Sequence, residues 1–343
     1  MTDVVDPVGA LARQLARHPR EPLADSPTPF RAAPRLSEGL GQEVWVKRDD
    51  LTGFGLGGNK VRKLEFLLGR ARADGCDTIV TFGALQSNHA RQTAAACAAG
   101  GLRCELILTR AVARSGEAFE RGGNLALDHL FGATVTVVDG DDDDAIAAAM
   151  GSLHERIDAR GGVARWVPPG GSDAVGTLGY VAAGVELAEQ ITASGSTVDD
   201  VVVAASTGGT YAGLLTGLRL SGIGSRLHGI CVYRDAEHTR DAVEGLLVGV
   251  ADLLGTPPVS FDEVLLDDAH LGAGYGLPSP GTLDAMRLFA RTEALVLDPV
   301  YTGKAAEALV ARVRAGTLGS GATVFVHTGG APALGAYPDL DLA

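Results

Sequence analysis

The chain has 343 residues, 46% of them hydrophobic and 21% charged, the profile of a folded, enzyme-sized chain long enough for two ordinary domains and unlike a disordered or fibrous one. Twenty-nine Lys and Arg stand against 42 Asp and Glu, a formal charge of -13. A nucleic-acid or anionic-membrane surface needs clustered positive charge, so the balance excludes both and favours a small-molecule partner.

The first residues, with Asp3 and Asp6, lack the basic-then-apolar pattern of a leader, and no apolar run approaches the roughly 20 residues of a membrane span; the expectation is a cytoplasmic protein. Up to about residue 50, prolines at 7, 19, 22, 27, 29 and 34 predict an irregular wrapping arm that ends in a strand over 43–47. From about residue 62, helix and strand alternate: helix 64–73, strand 78–82, helix 90–99, strand 105–109, helix 117–130 and strand 134–138. The acidic run 139–144 reads as a solvated loop entering a helix over 145–160, whose dipole favours those charges, and no metal is expected there. Pro168, Pro169, Gly170 and Gly171 mark a crossing between domains. Beyond it come helix 175–193, strand 200–205, helix 211–220, strand 227–233, a long helix from 236, helices 282–292 and 303–314, and strand 323–327. Alternating βα units with continuously apolar strands predict an α/β fold of two open, twisted parallel sheets with helices on both faces. The cysteines, Cys76, Cys97, Cys104 and Cys231, are scattered and read as small buried residues, not as a zinc set or disulfide framework.

Four segments carry chemistry. Only four of the basic residues are lysine, Lys47, Lys60, Lys63 and Lys304, which shortens any search for a reactive amine. Lys60 closes the glycine-rich turn 53–60 at the mouth of a helix, where the dipole disfavours a cation. An amine used as a neutral group or a Schiff base meets less of that penalty; solvated lysines on a surface turn are the plain alternative. Gln86-Ser87-Asn88-His89 follows a strand end and opens a helix, so its N–H groups, the Ser87 hydroxyl and the Asn88 amide suit a carboxylate or phenolate oxygen; a simple helix cap is the alternative. Ser206-Thr207-Gly208-Gly209-Thr210 lies between a strand and a helix and makes a phosphate cradle or an ordinary tight turn. It lacks a Walker lysine and the dinucleotide spacing, so a single phosphate monoester suits it best. The runs 297–304 and 325–332 end in hydroxyl-bearing turns compatible with ordinary turn chemistry.

Together these segments, from about Pro34 to Tyr337, resemble the pyridoxal-phosphate family that contains D-cysteine desulfhydrase and 1-aminocyclopropane-1-carboxylate (ACC) deaminase, of the tryptophan synthase β-like fold, fold type II. The resemblance implies pyridoxal 5'-phosphate as cofactor, carried as a Schiff base on Lys60 of GGNK. It implies that Ser87 and His89 border the substrate, Ser87 near its carboxylate and α-carbon. Asn88 would bond the pyridoxal 3-oxygen and touch the substrate, while Thr207, Gly208, Gly209 and Thr210 hold the phosphate. Tyr275 of GYGLP and Tyr301 of DPVY would point at the substrate side chain. It further implies a small domain, 62–173, inserted into a large one, 1–61 plus 174–343, with the cofactor in the cleft, and a homodimer.

Deaminases of this family carry DPVYEGK and HLGG, where this chain has Thr302 and Thr328. Neutral hydroxyls beside the ring nitrogen leave it less protonated, which suits β-elimination of a good leaving group better than cyclopropane opening. The implied branch is therefore D-cysteine desulfhydrase, a lyase releasing pyruvate, hydrogen sulfide and ammonia from a small amino acid, with Lys60 or Ser87 taking the α-proton. L-cysteate sulfo-lyase, which shares QSNHARQ, another carbon-sulfur lyase on a larger thioether, and ACC deaminase stay open. A binding protein without catalysis has no need of both the lysine and the phosphate turn, and a cofactor-free aldolase has no use for the cradle.

Overall fold

The structure, a computed structural model, describes residues 7–140 and 143–343. Asp3 and Asp6, and residues 141–142 of the acidic run, lie outside the described residues.

The chain begins with α1 (Pro7–Leu15), β1 (Phe30–Ala32), α2 (Pro34–Leu40) and β2 (Val44–Lys47). The expected irregular arm holds for residues 16–29, which form no helix or strand, but regular elements stand on either side of that stretch. Its prolines sit between or at the starts of helices, Pro34 opening α2, while Leu11 and Leu15 bury against Phe66, Val185 and Val250.

A first set of βα units follows: α3 (Lys60–Ala73), β3 (Thr78–Ala84), α4 (Asn88–Gly100), β4 (Arg103–Thr109), α5 (Glu117–Arg121), α6 (Gly123–Leu130), β5 (Thr134–Val138), α7 (Asp143–Ala159) and β6 (Ala164–Val167). Its strands form a four-stranded parallel sheet in the order β5-β4-β3-β6. Side chains alternate across it: Ile79, Leu106 and Leu108 meet Leu64, Leu67 and Ala94 of α3 and α4, whereas Val80 and Ile107 meet Leu153 and Ile157 of α7. The helix expected over 117–130 is broken at Gly122 and Gly123. Gly123 has φ +56, and a Cβ on it would lie 2.4 Å from the Gln86 side-chain oxygen, so the chain turns there to let α6 pack on α4.

The second set comprises α8 (Ala174–Ser194), β7 (Val198–Ala205), α9 (Gly209–Leu220), β8 (Arg226–Cys231), α10 (Ala236–Leu254), β9 (Leu265–Asp267), α11 (Pro280–Glu293), α12 (Thr302–Arg314), β10 (Ala322–Val326) and α13 (Ala331–Leu334). With the arm strands they make a six-stranded sheet, β1-β2-β10-β7-β8-β9. The expectation of purely parallel sheets needs correction here, because β1 pairs antiparallel with β2. Stacking of Phe30 on Trp45, ring centroids 4.9 Å apart, accompanies that pairing at the sheet edge. Among the described residues no helix is long and apolar enough to cross a membrane.

Candidate active site

The carboxyl ends of β3 and β7, the start of α3 and two C-terminal turns meet around one cavity of about 610 Å³. Lys60, first residue of α3, stands in its wall after Gly57 and Gly58, whose φ angles are +71 and +117. Asn59 ties this loop to two others, its N–H donating to the Thr328 carbonyl (2.9 Å) and its side-chain amide to Thr210 Oγ1 (3.0 Å). Burial pushes the Lys60 amine down to about 8, against the opposing pull of the Asp298 carboxylate. At neutral pH roughly a tenth of it is then the free amine, far more than for an ordinary lysine.

Ser87 caps α4, its Oγ accepting the Ala90 N–H at 3.2 Å, and Ser87, Asn88 and His89 all border the cavity. His89 Nε2 lies 2.9 Å from Thr81 Oγ1, and that hydroxyl gives its own proton to the Val167 carbonyl (2.9 Å). Nε2 therefore carries the ring proton, and Nδ1, buried and without a partner among the described residues, is a bare acceptor. Burial, with Lys60 and Lys63 nearby, holds this imidazole well below its usual pKa, so it stays neutral.

The turn from β7 into α9 passes through Gly208 at φ +83, and Ser206, Thr207, Gly208 and Thr210 line the cavity. Gly209 stands just behind: a Cβ on it would lie 2.7 Å from Lys63 Nζ. That amine donates to Ser172 Oγ (2.9 Å) and the Gly170 carbonyl (3.1 Å), and Ser172 Oγ in turn meets Thr207 Oγ1 at 2.6 Å. Burial first, then Lys60, pushes Lys63 well below the lysine range against the pull of Asp173. Sequence reasoning missed Lys63 as part of the site. The signal was its spacing, since residues three apart share a helix face.

The Tyr275 and Tyr301 hydroxyls are hydrogen-bonded to each other at the cavity wall, with Tyr233 edge-on to Tyr275 at 5.1 Å. Burial raises both phenols, Tyr275 to about 12, so both stay protonated. Lys304 holds the Tyr275 turn by donating to the Leu271 and Gly274 carbonyls. Thr328 lines the cavity, but Thr302 does not: its buried hydroxyl donates to Asp298 Oδ2 (2.6 Å) and accepts the Asp298 N–H (2.9 Å). Asp298, which also accepts the N–H groups of Val300, Tyr301 and Thr302, fixes the turn that presents Tyr301. Of the site residues implied by the resemblance, then, Gly209 and Thr302 stand behind the wall and the others form it; Gln86, Lys47, Lys63 and Lys304 do not line it. Tyr233, Arg234, Ile146 and Met150 also line the cavity and were not foreseen.

Comparison with known proteins places this geometry. The family model described as pyridoxal-phosphate dependent enzyme matches residues 22–329. A D-cysteine desulfhydrase of Yersinia enterocolitica is 43% identical over 328 residues, covering 95% of this chain and 98% of the relative. One of Klebsiella pneumoniae is 41% identical over 326 residues, again 95% and 98%. Among solved structures, an ACC deaminase homologue superposes with a TM-score of 0.85 at 38% identity over 94% of each chain. The processed form of threonine deaminase isoform 2 from Solanum lycopersicum, 17% identical with a TM-score of 0.66 over 95% of this chain and 90% of its own, shares the fold.

Proposed function

The chain belongs to the pyridoxal-phosphate dependent enzymes, and within that family we propose a lyase that converts D-cysteine and water to pyruvate, hydrogen sulfide and ammonia. Its cofactor is pyridoxal 5'-phosphate, and the residues fit that group. Lys60 offers an amine poised near 8, the start of α9 with Lys63 behind it offers donors for a phosphate dianion, and Asn88 offers an amide. Bound there, the cofactor supplies an electron sink for negative charge at the substrate α-carbon.

The protein's own groups divide the remaining work. Lys60 takes the α-proton, because its lowered pKa matches neutral pH. Ser87 has no carboxylate or imidazole hydrogen-bonded to its Oγ among the described residues, so nothing activates it as a base and its hydroxyl serves to hold the substrate carboxylate. Tyr275 and Tyr301, kept as phenols, supply a proton to the departing sulfur. Neutral His89 closes the wall without adding charge.

The single observation that carries the choice of substrate is identity of 41–43% to D-cysteine desulfhydrases along nearly the whole chain. The ACC deaminase homologue among the solved structures supports ring opening of ACC as the second reading. The proposal includes a small domain over 62–173, supported by the four-stranded sheet that lies within those limits, set into 1–61 plus 174–343. It also includes a cytoplasmic homodimer.

Purified protein offered D-cysteine, L-cysteine, L-cysteate and ACC separately decides the matter. Pyruvate with sulfide from D-cysteine is expected; sulfite from L-cysteate or 2-oxobutyrate from ACC at a higher kcat/KM would overturn the choice.

A further inference from the structure

Asn88 lines the cavity, and what it offers a ligand depends on which way its amide is turned, for an amide has one acceptor end and one donor end. That orientation is set by residues outside the cavity. Asn124, the second residue of α6, is fully buried. Its Oδ1 accepts from Arg91 Nε at 3.2 Å, and its Nδ2 donates to the Gln86 carbonyl at 2.9 Å. A guanidinium only donates and a backbone carbonyl only accepts, so the two contacts independently fix the same orientation of the Asn124 amide. The second Nδ2 hydrogen then goes to Asn88 Oδ1, 2.9 Å away. With its oxygen so occupied, Asn88 has its donor end left over, and no protein acceptor meets Asn88 Nδ2 among the described residues.

The same Arg91 reaches the other half of the site, with Nη1 donating to the carbonyls of Gly55 and Gly57 in the turn that leads to Lys60. Gln86 braces the relay by accepting the Asn124 N–H (2.8 Å) and donating to the Phe119 and Gly122 carbonyls (2.7 and 3.0 Å). The break between α5 and α6 brings Asn124 to this place, so the interruption at Gly122 and Gly123 serves the site.

We infer that Arg91 and Asn124 are positioning residues that make Asn88 an obligatory hydrogen-bond donor to the cofactor's phenolate oxygen and hold the Lys60 turn in register with it. This rests on the reading of the cavity as the pyridoxal phosphate site. A donor to that oxygen stabilises its negative charge and so weakens the hold of the neighbouring nitrogen on its proton. Losing the donor raises the pH at which the visible band of the bound cofactor titrates.

The test compares Asn124→Asp, whose carboxylate accepts from Asn88 and turns its amide round, with Asn124→Ala and Asn88→Ala, each loaded with cofactor. Both Asn124 variants should titrate about one pH unit or more above the unmodified protein, as Asn88→Ala does, and bind cofactor roughly tenfold more weakly. Adding the uncharged Asn124→Ala to Asn88→Ala should cause no further shift, because the effect passes through Asn88. An unchanged titration in both Asn124 variants, with Asn88→Ala shifted, would overturn the relay. Should the unmodified protein take up no cofactor, the reading of the site fails instead. Should the Asn124 variants not fold, side-chain amide exchange in the native protein decides: Asn124 protons protected, and Asn88 protons protected only once cofactor is added, is expected. Asn88 protons already protected without cofactor would contradict the inference.

Discussion

Two desolvated basic pairs flank the start of α3 and meet opposite fates. Arg62 and Lys47 are matched. Arg62 bonds both Asp49 and Glu186, Lys47 bonds Glu186, and Tyr180 donates to Asp49 at 2.6 Å. Arg62 is held well above its usual pKa and Asp49 is drawn down to about 2, although burial still lowers Lys47. Lys60 and Lys63 sit one turn apart with no carboxylate among the described residues in an ion pair with either, and burial pushes both down. Two carboxylates beside one pair make a clamp joining the arm strand β2, α3 and α8; the other pair, without such a clamp, keeps amines that can lose a proton. Burial is common to the two pairs, so the difference in function comes from the counter-charges.

Four substitutions sharpen or break this contrast. Lys60→Ala should abolish the visible band of the bound cofactor and cut D-cysteine turnover by about a thousandfold or more; a retained band would remove the lysine from its role. Arg62→Met leaves buried Asp49 without its ion-pair partner and Glu186 with Lys47 alone, and should cost about 3–5 kcal/mol in denaturant unfolding. Lys63→Met should weaken cofactor binding by about 1.5–3 kcal/mol in equilibrium titration while leaving the folded apoprotein intact. The last substitution is read as a pH profile and not at one condition: Asp128 is fully buried, with neither carboxylate oxygen hydrogen-bonded among the described residues and its pKa raised to about 8 by burial against the pull of Arg91. Its folded value lies above its unfolded one, so the native state loses stability as pH rises from about 4 to about 8. Asp128→Asn should remove that dependence, its Tm advantage growing across this window and levelling above it.

Much of this organisation was legible in the sequence because several glycine- and hydroxyl-bearing strand-to-helix junctions occur together with a lysine at a helix start, although each junction alone also suits an ordinary turn or cap. The turns ending at Lys60, at 86–89 and at 206–210 were singled out from residue type and placement, each with a plain structural alternative until the family resemblance joined them, and all three border the cavity. What escaped depends on distant partners. Asn124 reads as an ordinary helix residue until Arg91 and Asn88 are seen on either side of it. Thr302 and Thr328 look equivalent in sequence, yet Asp298 draws the Thr302 hydroxyl behind the wall. The antiparallel edge strand was likewise invisible, because its direction is fixed by pairing with β2 and not by its own three residues. The part of the cavity wall formed by Tyr233, Arg234, Ile146 and Met150 carries no local motif at all.

A chain with only four lysines allows a direct test of the contrast between the two pairs. Lysine labelled with ¹³C at Cε, assigned by single Lys→Arg variants, can be titrated by NMR in the protein freed of cofactor. Lys60 titrating at about 8, with Lys63 below the ordinary lysine range, is the result predicted. Both amines titrating at the ordinary lysine value would contradict the claim that unmatched burial prepares them for chemistry.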